Sequence, residues 1–249
     1  MMIEFVNVSV FLGAALSCGV GGSAAGLAEG TIGMNAMQAL GRQPKANAQL
    51  LRTLLIGVAV TETGGIFALV IGLLLLFGGL NSPDSAYDLA RTVSFLAAGL
   101  AIGLGSMGSS FGSGYTAAES CAGVGRTPSH SNAVTSNMIV GQALTQTSTI
   151  FSLIISLLLL YLVPDMAENQ SWGYQIAMSG AYLGAAMSIA LGTIGVATGV
   201  GFVTGKAMRM IARFRENAST FLRQMFVGVA VVETCAIYSL VVAFLLLFK

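Results

Sequence analysis

The chain has 249 residues, of which 55% are hydrophobic and only 8% charged, with a net charge of +1. A soluble domain carries about 25% charged residues, so the composition excludes one. The near-neutral charge gives no basic footprint for nucleic acid, and the 32 glycines and 4 prolines show no collagen-like period.

Six apolar stretches of about 20 residues or more predict six membrane-spanning helices. Met1–Val10 carries Glu4 but no Lys or Arg. It lacks the basic flank of a secretory signal, so the first helix is expected to be retained. Phe11-Leu12-Gly13-Ala14 opens a glycine-rich helix that ends at Gly41-Arg42-Gln43-Pro44. One of its faces carries Gly22, Gly26 and Gly30, a spacing that lets helices approach closely in lipid. A Leu/Ile/Val-rich helix follows over about Ala48–Phe77, with Ala59-Val60-Thr61-Glu62-Thr63 in its middle.

The pattern then repeats. Phe95-Leu96-Ala97-Ala98 opens a second glycine-rich helix ending at Gly125-Arg126-Thr127-Pro128, with Arg126 lying 84 residues after Arg42. Within it, Gly103-Leu104-Gly105-Ser106-Met107-Gly108 formally matches a dinucleotide fingerprint. No strand precedes it and it lies inside a helix, so it is rejected. The bulky helix that follows, about Asn132–Val163, carries Gln146 at the repeat position of Glu62. A third copy begins at Tyr182-Leu183-Gly184-Ala185, with Tyr182 lying 171 residues after Phe11. Its turn, Arg213-Phe214-Arg215-Glu216, has neither Gly nor Pro, and its second helix holds Ala230-Val231-Val232-Glu233-Thr234.

The expected architecture is an all-α membrane protein of three tandem helical hairpins, at 1–80, 81–164 and 165–249. The glycine-rich helices form a tight inner layer and the bulkier helices an outer one. Pro44, Pro83, Pro128 and Pro164 fall at turns or linkers, where helix breakers belong. Cys18, Cys121 and Cys235 lie in apolar helices without metal spacing and read as small core residues.

Charge placement orients the hairpins. Arg42, Lys45, Arg52, Arg126, Lys206, Arg209, Arg213, Arg215 and Arg223 cluster at or near the three turns. By the positive-inside rule the turns face the cytoplasm and both termini face out, with Trp172 and Tyr174 at the outer interface. His130 reads as a solvated turn residue.

A carboxylate in mid-membrane costs roughly 2.5 to 17 kcal/mol and is by default a functional hypothesis. Glu62 and Glu233 are therefore two copies of one site, with a structural acid as the plainer alternative. In an antiparallel hairpin, residues equidistant from the turn share a depth. Glu29 comes level with Glu62, Ser113 with Gln146, and Val200 with Glu233. Glutamine gives up no proton near neutral pH, so the second repeat carries no ion by charge. Its plain reading is a buried amide bonded to Thr145 or Thr149.

Around each glutamate, Val60 and Thr63, or Val231 and Thr234, offer a carbonyl and a hydroxyl. Glu29 adds oxygen in the first repeat, and Tyr238 is placed to steady Glu233. Clustered oxygens replace the hydration shell of a small cation.

The glycine-rich helix, the Gly-Arg-Gln-Pro turn and the outer-helix glutamate together resemble the c subunit of rotary ATP synthases and the related vacuolar-type proteolipid. The resemblance covers the whole chain as three fused hairpins. It implies a closed ring of copies, with partners in a stator a subunit, central-stalk subunits and the lipid bilayer. It implies a non-catalytic ion-translocating subunit with no cofactor, whose cargo is Na+ or H+. Glu62 and Glu233 would carry the ion, and metal ligation would fall to them if it is Na+. Val60, Thr63, Val231, Thr234, Glu29 and Tyr238 would complete the sites. The turn residues Arg42, Gln43, Pro44 and Arg126 would meet the stalk. A hydroxyl directly after the carboxylate resembles the sodium-binding members, and sodium is favoured over protons. A bacterial or archaeal plasma membrane is the expected location. A six-helix channel or secondary transporter is the alternative, but it calls for broken helices at mid-membrane, whereas these segments read as unbroken.

Overall fold

The structure, a computed structural model, describes residues 2–79, 89–163 and 171–249. Its helices are α1 (Met2–Arg42), α2 (Asn47–Thr61), α3 (Thr63–Gly78), α4 (Leu89–Arg126), α5 (Ser131–Tyr161), α6 (Trp172–Arg213) and α7 (Ala218–Leu247). Six apolar stretches are long enough to cross a membrane, α2 and α3 together making one of them. Pro83 and Pro164 lie outside the described residues.

At about 1.5 Å per residue, the 41 residues of α1 extend well past the roughly 30 Å hydrocarbon core of a bilayer. Glu29, thirteen residues before Arg42, lies about 20 Å up the helix from the turn.

Each hairpin turns through a single 3-10 turn: Pro44–Ala46, Pro128–His130 and Arg215–Asn217. The residue before each has nearly the same backbone, φ/ψ −139/74 at Gln43, −137/75 at Thr127 and −130/69 at Phe214. Each turn is closed by two equivalent backbone hydrogen bonds, Gln43 N–H to Ala39 O and Ala46 N–H to Gln43 O in the first, and Phe214 N–H to Met210 O and Asn217 N–H to Phe214 O in the third. Thus the third turn keeps its shape without Pro, because the same two backbone bonds close it. His130 is not simply solvated: its Nδ1 lies 2.9 Å from the carbonyl oxygen of Ala212, tying the second turn to the end of α6.

The glycine-rich helices make the inner layer, with α4 packed between α1 and α6, and these are the most extensive contacts in the molecule. A Cβ on Gly103 would sit 2.6 Å from the Leu16 carbonyl oxygen, and one on Gly108 would sit 2.6 Å from Ile194 Cα. Gly99 faces the backbone of Gly13, Gly112 faces the carbonyl of Ala197 and Gly201 faces the backbone of Gly112, each too close for any side chain. Backbone approach replaces side-chain burial as the source of packing, as small-residue faces allow in lipid. The face of Gly22, Gly26 and Gly30 behaves differently from expectation. A Cβ at any of the three would meet nothing within 4 Å. These glycines lie on the free edge of α1, where the inner arc ends.

The outer helices touch each other less and expose large apolar side chains, among them Leu55, Leu69, Ile154 and Leu245. Hydroxyl groups staple the layers. Thr116 and Thr204 lie 2.6 Å apart between α4 and α6, Ser156 donates to the Ala98 carbonyl at 2.6 Å, and Thr53 and Thr135 lie 2.8 Å apart between outer helices. Such bonds contribute about 0.6 to 2 kcal/mol each. Of the three cysteines, only Cys121 is fully buried; Cys18 is intermediate and Cys235 exposed.

Gly112→Ala should destabilise the detergent-solubilised chain by about 1–3 kcal/mol through overpacking, whereas Gly26→Ala should leave its thermal midpoint unchanged. Equal midpoints for both variants would overturn this account of the inner layer.

Candidate ion-carrying site

The three repeat positions meet three different environments. Glu62, on the free edge beside α1, is exposed; Gln146, in the middle of the arc, is 8% exposed; Glu233 is intermediate. Exposure follows whether a hairpin precedes the position: Gln146 and Glu233 are each met by the hairpin before them, and Glu62 is not.

Glu62 and Glu29 line one open cavity of about 360 Å³, together with Cys18, Gly22, Gly26 and Gly65. The two carboxyls thus come to the depth expected from their distances to the turn. The glycines leave room around them, since Gly22 and Gly26 have no side chain to fill the space. The chain passes from α2 to α3 through Glu62 with helical φ/ψ (−64/−22) and with both backbone bonds of that residue kept, Glu62 N–H to Val58 O and Ile66 N–H to Glu62 O; α5 and α7 likewise run through Gln146 and Glu233.

The hydroxyl at Glu233 comes from a different hairpin than expected. Thr147, on α5, donates to Glu233 Oε1 at 2.6 Å. Thr147 is the repeat equivalent of Thr63 and Thr234 and directly follows Gln146. Thr234 instead turns back on its own helix and donates to the Val231 carbonyl at 2.7 Å. Tyr238 is 67% exposed and makes no hydrogen bond to Glu233 among the described residues. Val200, level with Glu233 on α6, is buried and apolar, so the inner helix offers this carboxylate no side-chain ligand.

Gln146 obeys the same cross-hairpin rule. Its Nε2 donates to the carbonyl oxygen of Val60, on the preceding hairpin, at 3.3 Å. The expected partners Thr145 and Thr149 are engaged elsewhere: Thr145 donates to the Gln142 carbonyl at 2.6 Å, and Thr149 donates to Ser109. Ser113 is taken by Gln142 and Thr61 rather than by Gln146.

The geometry is therefore one rule used twice. The outer-helix acid or amide of one hairpin is met by the carbonyl or hydroxyl of the hairpin before it. Grouping ligands within a hairpin, as the sequence invites, misses Thr147. The signal is nonetheless present, since Gln146-Thr147 repeats Glu62-Thr63 and Glu233-Thr234.

Comparison with known proteins agrees with three units. The family of ATP synthase C subunits matches residues 12–75, 96–159 and 183–246. An ATP synthase c subunit of Cereibacter sphaeroides, the one numbered 2, is 47% identical over 77 residues, covering 31% of this chain and 93% of that protein. The ATP synthase c subunit of Petrotoga mobilis is 44% identical over 66 residues, 26% of this chain and 69% of the relative. That of Clostridium acetobutylicum is 46% identical over 67 residues, 27% and 82%. Each relative thus corresponds to about one hairpin here. With most of its length matched in three consecutive units, the chain belongs to the family of ATP synthase C subunits, as a non-catalytic, membrane-embedded rotor subunit that holds three of the family's hairpins in one polypeptide.

Proposed function

We propose that the chain carries ions on Glu62 and Glu233 as copies of it close into a ring, with Na+ favoured over H+ as cargo. The observation that carries this reading is the Thr147 to Glu233 bond across two hairpins. Extended by the repeat, it leaves Glu62 without a preceding hairpin inside its own chain. A second copy docked on the free edge of α1 would bring Val231 and Thr234 to Glu62, as Thr147 comes to Glu233. The exposed Gly22, Gly26 and Gly30 suit a backbone approach of that kind.

The three hairpins are read as the units 1–80, 81–164 and 165–249. The turns face the cytoplasm on charge placement. Arg42, Gln43, Pro44 and Arg126 would meet the central stalk, while the outer helices face lipid and the stator. Sodium is favoured by the oxygen set around Glu62, where Glu29 lines the same cavity. Protons are the second reading, favoured by Val200, which adds no ligand at Glu233.

A hydrophobic carbodiimide attacks protonated carboxyl groups in apolar surroundings. In the assembled protein it should label Glu62 and Glu233 and leave Gln146 untouched. Sodium should slow the labelling. Thr147→Val removes a hydrogen bond to a charged group, about 1.5–3 kcal/mol, so protecting Glu233 should take about ten- to a hundredfold more sodium. Thr234→Val should have its effect at Glu62 instead. Labelling that ignores sodium at every pH tested would assign protons, and label confined to other acids would end the carrier reading.

Gln146 sets the gearing. Two carboxylates serve three hairpins, so each turn moves two-thirds as many ions as the hairpin count implies. A monovalent ion crossing ~150 mV is worth ~3.5 kcal/mol; fewer ions per turn deliver less energy to synthesis but let hydrolysis pump against a steeper gradient. Gln146→Glu should raise the ions moved per ATP in proteoliposomes. A ratio already matching the full hairpin count in the unmutated protein would refute the gearing.

A further inference from the structure

We propose that the inner layer holds an anionic phospholipid on its open face, with the lipid phosphate seated among Arg126, Arg209 and Arg213 at the turn end of α4 and α6. The site is separate from the carriers and does not depend on them.

A cavity of about 300 Å³ lies between these helix ends. Arg126 and Thr127 line it from the second hairpin, Arg209, Ala212 and Arg213 from the third, and no acid lines it among the described residues. Its walls are braced. Gly123 lets α4 and α6 touch, since a Cβ there would sit 2.7 Å from that of Ala212. His130 Nδ1 lies 2.9 Å from the Ala212 carbonyl oxygen. The Arg213 guanidinium lies over the ring of Phe214, 5.1 Å from its centroid. Arg209 lies 3.7 Å from Glu119, but that carboxylate is shared with Lys206 at 3.2 Å. One anion therefore faces two cations, and the cavity keeps an excess of positive charge.

The repeats supply the control. Arg126 and Arg213 are both equivalents of Arg42, so every turn has one such arginine. Arg209 has no basic counterpart, because its equivalents are Gln38 and Ala122. The junction of the first and second hairpins thus brings two arginines together where the next junction brings three. A single arginine near a helix end simply snorkels to the interface. Three guanidinium groups around one cavity offer forked donors to the oxygens of a phosphate.

The face that leads away from the cavity selects a lipid over a free phosphate. α4 is packed on every side but one. Its open positions recur every three or four residues, from Arg126 and Glu119 through Tyr115 and Phe111 to Leu104 and Leu100. On α6, Phe202 and Leu191 are exposed in the same way beyond Lys206. Tyr115 and Phe202 meet edge to face, with centroids 5.2 Å apart. From Tyr115 to Leu100 the open face is apolar for about 22 Å, longer than half of the roughly 30 Å hydrocarbon core. Basic pockets between membrane helices take anionic head groups, and here an apolar track for the acyl chains begins at the pocket.

The test titrates the full chain, purified in neutral detergent as its native oligomer, and counts bound molecules by native mass spectrometry. The probes are phosphatidylglycerol, phosphatidylcholine and inorganic phosphate. Phosphatidylglycerol should saturate at one molecule per chain and bind about tenfold or more tighter than phosphatidylcholine. Arg209→Ala and Arg209→Gln install the residues found at the two equivalent positions, and each should weaken phosphatidylglycerol by about fivefold. Arg215→Ala removes the same charge from the third turn, outside the cavity, and should leave that affinity unchanged. Equal binding of the two lipids would overturn the proposal, as would equal losses in the Arg209 and Arg215 variants. So would displacement of the lipid by millimolar inorganic phosphate, which would mark an anion site without a lipid. Lipid present on the free oligomer but lost from the complex with the central stalk would give the cavity to a protein partner, and would overturn it too.

Discussion

A carboxylate between membrane helices cannot be satisfied by its own helix. The helical backbone spends its carbonyls and amides on itself, so the remaining ligands must be side chains or freed carbonyls of a neighbour. That constraint explains why each outer-helix position is met by the hairpin before it. Thr147 reaches Glu233, and the Val60 carbonyl receives Gln146. It also explains why Glu62 faces an open cavity. The chain has two internal junctions and three acid or amide positions, so one position stands at its margin.

The inner layer holds those junctions at fixed spacing. With Gly99 against Gly13 and Gly112 against Gly201, neighbouring backbones touch, and the distance between adjacent hairpins has no side-chain slack. The hydroxyl-rich faces of α4, α5 and α6 then fill the mid-depth layer with bonds such as Thr116 to Thr204 and Thr149 to Ser109. Rigid packing inside and sparse contact outside leave the outer helices as the part able to adjust.

Much of this is legible in the residues. Six helices follow from hydropathy, three hairpins from the repeats of Arg42 at Arg126 and of Glu62 at Glu233, and the shared depth of Glu29 and Glu62 from counting outward from the turn. Relations between hairpins are not legible, because a repeat offset gives depth and not rotation about the helix axis. Hence the repeat marks Thr147 as the counterpart of Thr63 and Thr234 but does not set it against Glu233, proximity in sequence pairs Gln146 with its own helix, and Tyr238 is offered a role that its exposed ring does not fill. The bond from Gln142 to Ser113 leaves no trace, because the equivalents of Gln142, Val58 and Val229, make the position look like ordinary core. The third turn misleads in the opposite way. Losing Gly and Pro suggests a different turn, but the shape is set by hydrogen bonds such as Phe214 N–H to Met210 O, which any residue other than Pro can make.

Joining three hairpins in one polypeptide also fixes the rhythm of a rotor built from it. From Glu62 to Glu233 the distance is two hairpin widths, but from Glu233 to the Glu62 of the next copy it is one. If Glu62 and Glu233 are the carriers, as proposed, charged seats would pass the stator in alternating long and short strides, and the wheel would change size by three hairpins at a time. A rotor of separate identical hairpins has neither property. Its rotation would be even, whereas the proposed ring would carry a built-in limp with a period of three hairpins.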